Sequence, residues 1–529
     1  MLRELLKSLL SKTPKNDNND SSGEDTPLSS SLRANLEQVN ESFAPSTGLK
    51  IRHFSLGGDN QLPVALVYFE ELIDEDSLVS SVIQPLMVWA RPVLGPESQE
   101  SDLAERILNQ LLPTEESLMI DSLNELTDNV LNGNCILLTE GSSRAISVEL
   151  TGWPKRQVEE PSAEVLLRGP RDGFTENLQD NLGLIRRRIK SPQLAVHSFE
   201  LGTRTKTETA ILHMEDLAPE NVVQEVHRRV EAIDVDKIVS GRQVQQLITD
   251  HPYSLLPTIR STERPDVIAS ELLEGRVIVL IDTDPFVLLL PYEFFTIFAT
   301  AEAHNLHFAL STVLRSCGMI SFWLSIFITA FYVALTSYHQ ELVPFPLLMN
   351  FAVAQAGVPF PVAFSALGVE AVLEILREAG ARLPRPIGQA VSIVGAIVLG
   401  QAAIQAGIIP PGLVIAAASA TIFSFAVPDY EATTTFRLFR YPIIIMAGAL
   451  GLFGTALTLI VIIFHLCSLK SFGVPYVALF TPGRVSELAE KQLAVPYQIR
   501  RPIRPGGGRD RRRQGQSPRP RDPGEVGND

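Results

Sequence analysis

Within the apolar stretch 387–407, Val394, Val398, Gln401 and Gln405 fall within about 60° of one another when residues are placed at helical steps. Gly388, Ser392, Gly395, Leu399, Ala402 and Ala406 form a second stripe of mostly small residues, which would let a neighbouring membrane helix come close. Repeated around a ring of subunits, the first stripe would line a pore, its valines a constriction that sheds water and its glutamines a polar mouth. The same pattern also serves a helix whose glutamines hydrogen-bond to neighbouring helices and whose valines face lipid. Glu370, Glu374, Arg377 and Glu378 share one face of a preceding helix. They fit either a solvated, salt-bridged interfacial helix or an acidic pore mouth that gathers cations, with Arg377, Arg382 and Arg385 cancelling part of its field.

Other groups promise less chemistry. Phe294, Phe295, Phe298 and Phe308 are expected on an amphipathic helix that anchors at a membrane interface. Glu302, His304 and His307 are too few ligands for a metal site, and none is expected. Arg186, Arg187, Arg188 and Lys190 follow a turn bracketed by Gly169 and Gly173; a structural turn and a salt-bridged helix capped by Thr175 are expected there, not a phosphate site. No P-loop, nucleophile elbow, HExxH, dinucleotide fingerprint or paired cysteine motif occurs, so neither an enzyme nor a cofactor is expected. The cysteines at 135, 317 and 467 lie far apart, which fits neither a disulfide framework nor zinc. A formal net charge of −15 argues against nucleic acid as a partner.

The elements that must position these residues fall into two kinds: an α/β N-terminal region and an all-α polytopic membrane region. Residues 1–48 read as a mobile polar leader, and MLRELLKSLLSK as no cleavable signal, which leaves the N-terminal region cytoplasmic. Strand and helix patterns then alternate in two α/β subdomains, 49–160 and 161–291. In the first, PVALVYFEELID is a strand entering a helix, Ser101–Leu118 a helix, and the run around Gly141 two strands joined by a turn. In the second, AEVLLRGP is strand-like, ENLQDNLGLIRRRIKS helical, LAVHSFELGTRTKTETAILHME a hairpin, and the segment after Pro219 a helix. The membrane region, 292–480, offers spans at 317–337, 387–407, 411–428 and 441–466, with 343–376 open between a kinked span, a re-entrant segment and an interfacial helix. The remainder, 481–529, is an Arg/Pro/Gly-rich tail, and the 12 Lys/Arg after Leu466 place it on the cytoplasmic side, beside anionic lipid if it has a partner. Both termini on one side require an even number of spans, and four are expected.

Several blocks resemble the A-subunit family of bacterial spore germinant receptors. They are Glu160-Pro161, LLRGPRDGFTENLQDNLGLIRRRI (166–189), ERPDVIASELLEGRVIVLIDTDPFVLLLP (263–291), FYVALTSYHQELVP (331–344), GVPFP (357–361), EILREAGARLPRPIGQAVSIVGAIVLGQAAIQAGI (374–408) and LKSFGVPY (469–476). The resemblance implies a multi-pass protein of the inner spore membrane that works with B and C subunits and responds to nutrients. It also implies assembly with itself into a ring that passes cations, and two α/β subdomains at the N-terminus. A non-conducting scaffold, or an A-like paralogue of the dipicolinic-acid release machinery, is the alternative. Three positions depart from the family pattern: Gln355 and Ala356 replace an Arg-Glu pair, and Ser365 replaces a Glu, which puts family-like conduction in doubt.

Overall fold

The structure, a computed structural model, describes residues 26–43, 48–56, 62–93, 103–112, 117–150, 152, 169–298, 307–383, 395 and 398–477. The chain divides into two compact units, Met1–Ala44 with Gly48–Trp153, and Pro45–Thr47 with Pro154–Asp529.

The first unit is an antiparallel sheet ordered β1-β2-β4-β5-β3, built from Leu49–Leu56 (β1), Leu62–Phe69 (β2), Ser117–Ile120 (β3), Asn134–Thr139 (β4) and Ala145–Glu149 (β5). Alternate side chains of the central strands bury on opposite faces, as the two-residue period requires. Val64, Leu66 and Leu137 pack with helices Gln84–Val93 (α2) and Leu103–Leu111 (α3). Ala65, Val67 and Ile136 pack with Leu32–Ser42 (α1) and Leu123–Leu131 (α4). The leader expected to be mobile therefore contributes a core helix: Leu32, Leu36, Val39 and Phe43 recur at helical spacing and are buried. The helix expected over Ser101–Leu118 is shorter, because the chain from Ser117 pairs with β5 instead.

The second unit repeats the plan. Leu194–Leu201 (β6), Thr207–Met214 (β7), Arg260–Thr262 (β8), Val277–Ile281 (β9) and Val287–Leu290 (β10) form a sheet ordered β6-β7-β9-β10-β8. One face carries Leu178–Arg188 (α5) and Pro265–Leu273 (α8). The other carries Glu220–Glu231 (α6) and Gly241–Ile248 (α7). Even a small polar device recurs. Asn35 accepts from the Ser29 amide at 2.8 Å and donates to the Ser29 carbonyl at 2.7 Å, and Asn181 does the same with Thr175 at the same distances. The cap of α5 is Asn177 and not Thr175, because the Asn177 carboxamide reaches the amides of Gln179 and Asp180. AEVLLRGP lies outside the described residues up to Arg168.

The same unit continues into helices Phe308–Ser337 (α9), Phe345–Ala356 (α10), Val362–Arg382 (α11), Pro411–Phe425 (α12), Tyr430–Arg437 (α13) and Arg440–Ser468 (α14), with residues 398–405 also helical. Among the described residues, Ala309–Ser337 and Glu431–Ser468 are long and apolar enough to cross a membrane. The stretch 343–376 resolves into α10 and α11, broken where Pro359 and Pro361 deny the backbone amides a helix needs. The span expected at 411–428 stops at Phe425; at about 1.5 Å per residue its 15 residues reach roughly 22 Å, less than the ~30 Å of a hydrocarbon core. Gly451 (φ 63°) interrupts α14. Phe294–Phe298 is a buried 3-10 turn and not an exposed anchor, since Phe294 and Phe298 pack edge-on against Phe322 of α9.

Candidate functional site

Among its described residues, the helical region holds a charge pair sealed between apolar helices. Glu370, on α11, is 3% exposed, and Arg440, at the start of α14, is 2% exposed. Arg440 Nη1 donates to Glu370 Oε2 at 3.2 Å, and Thr329 Oγ1 of α9 donates to Oε1 at 2.9 Å. Arg440 Nη2 also donates to the Ala420 carbonyl of α12 at 2.9 Å. One buried point thus ties together α9, α11, α12 and α14. Burying two charges is tolerable only when each is paired and hydrogen-bonded; here both carboxylate oxygens and both terminal guanidinium nitrogens are engaged, while Arg440 Nε is buried without a hydrogen-bond partner. One turn along α11, Glu374 accepts from Arg377 at 2.9 Å and lies 3.8 Å from Arg437 of α13.

Helix α13 links this cluster to the second sheet. At its start Asp429 caps Ala432 at 2.9 Å and receives the Tyr292 hydroxyl, while Glu431 pairs with Arg242 of α7 and accepts from Ser261 of β8 at 3.1 Å. Burial holds the Tyr292 phenol well above its ordinary pKa, so it stays a donor to Asp429. The far end of α13 presents Arg437 to Glu374, and Arg440 follows. A second attachment lies beyond α14. Lys470–Ser471 (β11) and Val474–Pro475 (β12) form a hairpin whose two turn residues, Phe472 (φ 48°) and Gly473 (φ 81°), are left-handed, as a type I′ turn demands. The strain at Phe472 is borne by its surroundings: its amide donates to Asp250 at 2.7 Å and the Arg229 guanidinium lies 4.5 Å over its ring. Ser471 Oγ donates to the Thr258 carbonyl at 2.6 Å and accepts from the Tyr292 amide at 3.1 Å, and the Phe294 amide donates to the Tyr476 carbonyl at 2.9 Å.

The residues singled out from sequence scatter around this cluster. Of the two acidic candidates, Glu370 is buried against Arg440, whereas the Glu374 side chain is 39% exposed and bonds Arg377, with Arg437 3.8 Å away. Val398 (56% exposed), Gln401 and Gln405 stand on the outer surface of their helix, and so does Ala402. Gly395 is closely packed: a Cβ there would come within 2.8 Å of Leu376 Cδ1 on α11. Gly388, Ser392 and Val394 lie outside the described residues, as do Glu302, His304 and Arg385. Of the basic cluster after the 169–173 turn, Arg186 is buried and Arg188 pairs with Asp172. The Glu370–Arg440 pair escaped the sequence because its partners stand 70 residues apart. The only available signal was an arginine at the head of an apolar run.

A family model described as Bacillus/Clostridium GerA spore germination protein matches residues 37–504. Spore germination protein KA of Bacillus subtilis (strain 168) is 38% identical over 470 residues, covering 89% of this chain and 85% of that one. Spore germination protein A1 of the same organism is 33% identical over 445 residues, covering 84% and 89%. The uncharacterized membrane protein YfkQ, also from that organism, is 33% identical over 481 residues, covering 90% and 92%. The crystal structure of the N-terminal domain of the A subunit of the Bacillus megaterium spore germinant receptor GerK3 aligns with 31% identity and a TM-score of 0.40, covering 50% of this chain and 96% of that one.

Proposed function

This chain belongs to the Bacillus/Clostridium GerA family of spore germination proteins, and we propose that it serves there as the A-type subunit of a nutrient-responsive germinant receptor. Its helical region sits in the inner spore membrane, crosses it an even number of times, four by the sequence pattern, and keeps the α/β units on the cytoplasmic side. It works beside B and C subunits and assembles with copies of itself into a ring that passes cations. The observation that carries the proposal is α13: bonded to the second sheet through Glu431 and to the buried charge cluster through Arg437, it joins the soluble unit to four packed helices. A shift of the sheet under the influence of a partner subunit would move α13 and disturb the Glu374 and Glu370 pairings. The conducting surface is assigned to Val398, Gln401 and Gln405, with Val394 on the same stripe. In favour stands the exposure of Val398, Gln401 and Gln405 within the protomer, which a ring of neighbours would cover.

Three substitutions at two positions in the intact receptor test these assignments. Glu431→Ala should leave the protein assembled in spores but slow nutrient-triggered germination. Wild-type germination kinetics would remove α13 from the transmission route. Val398→Ala should raise ion leak or nutrient sensitivity, and Val398→Phe should block release with assembly intact. If both Val398 variants behave as wild type, the stripe does not line a pore. The ion pairs that Glu370 and Glu374 make with Arg440 and Arg377 favour the alternative of a non-conducting scaffold, akin to the dipicolinic-acid release paralogue. Electrical recording from the purified protein in bilayers separates the two.

A further inference from the structure

On the α6 face of the second sheet, His197 of β6, His213 of β7 and His227 of α6 bring ring nitrogens within 4.8 Å of one another. We propose that these three imidazoles form a binding site for a divalent zinc-class ion, which clamps α6 to the β6–β7 hairpin.

The register brings the strand pair together. His213 lies directly across from Ala195 and His197 from Ile211, so the two histidines are diagonal neighbours on one face, with their rings stacked at 5.7 Å. Helix α6 buries Val222, Val226 and Val230 on that face, and this packing sets the His227 ring edge-on to His197 at 4.8 Å. His213 is the informative member. It is 4% exposed, its Nε2 bonds Glu215 Oε2 at 2.9 Å, and its Nδ1 is buried with no hydrogen-bond partner. A neutral imidazole that donates Nε2–H to a carboxylate keeps a basic lone pair on Nδ1. That is the orientation in which an outer carboxylate tunes a metal-binding histidine. A tetrahedral zinc site needs nitrogens ~3.3 Å apart, so modest rotations of the half-buried His197 and His227 rings complete the set. The fourth position stays open to water. Arg229, which grips Phe472 after α14, follows His227 on the same helix, so an ion here would steady that grip.

The test uses the full chain purified in detergent on a histidine-free tag, stripped with a chelator and titrated with zinc sulfate against a chromogenic competitor. One equivalent should bind with submicromolar affinity. His197→Gln and His227→Gln should each weaken it by at least about 100-fold and Glu215→Gln by about 10-fold. Cobalt(II) in place of zinc should give the visible absorption of a tetrahedral centre, lost in His227→Gln. Both ring variants sit on half-buried positions, and thermal unfolding checks that they remain folded. Zinc uptake that is the same in wild type and in the folded His197→Gln/His227→Gln double variant overturns the proposal, as does no stoichiometric uptake at all.

Discussion

Replacing Glu370 by Gln removes one charge while keeping the side chain's shape and an oxygen for Thr329. At the 3.2 Å separation from Arg440, two unit charges attract by about 5 kcal/mol at an effective dielectric of about 20. Arg440, 2% exposed, would then hold a buried positive charge opposite only a carboxamide and the Ala420 carbonyl. Breaking one side of such a pair costs about 3–5 kcal/mol, because the orphaned ion pays its desolvation alone. Thermal unfolding in matched detergent should fall by roughly 4–6 °C. Arg440→Met should cost a similar amount by orphaning Glu370. The double variant should recover most of the loss, to within about 2 kcal/mol of wild type, since an apolar replacement of both partners is nearly neutral. A Glu370→Gln protein unfolding within roughly 2 °C of wild type, or a double variant whose loss equals the sum of the single losses, would refute the pairing as a stabilising joint.

Gly448→Val should loosen α14 from α11, because a Cβ at Gly448 would overlap the Ala363 side chain; a loss of about 1–3 kcal/mol is expected, read as a lower unfolding temperature. Tyr292→Phe removes the buried donor to Asp429 and should cost about 1–3 kcal/mol, with limited proteolysis showing earlier cleavage around α13. Glu225 is held near a pKa of about 2, against an ordinary 4.5, first by its bond from Arg228 and then by Arg229. Its depressed carboxyl contributes stability above pH 4.5 that is lost as pH falls toward 2, so Glu225→Gln should flatten that part of an acid unfolding curve measured alongside wild type.

Much of the scaffold was legible because its strands alternate and its turns are marked. The β6–β7 hairpin and α6 behind Pro219 follow from local pattern alone. Helix α1 carried its signal too, in the spacing of Leu32, Leu36, Val39 and Phe43, but Asn, Glu and Gln between them lowered the apparent hydrophobicity. The three histidines were invisible for another reason. Their proximity depends on the register of one hairpin and on which face α6 covers, and neither leaves a mark in linear spacing. His304 and His307 looked closer in sequence, yet His307 caps α9 by accepting from the Ala309 amide. The same holds for Glu370 and Arg440: each helix face was readable, but which face met which partner was decided by packing among helices distant along the chain.

The hairpin after α14 sets an arithmetic rule. Residues 292–294, which lead toward the first long helix, and residues 471–476, which leave the last, are hydrogen-bonded to each other on one sheet unit. A chain that departs from and returns to a single anchor must traverse any intervening bilayer an even number of times. Deleting or adding one crossing would strand the hairpin on the far side, away from Thr258 and Asp250. Insertions that preserve the fold must therefore come as helical hairpins, two passes at a time, and the anchor acts as a parity check on the membrane topology of every such variant.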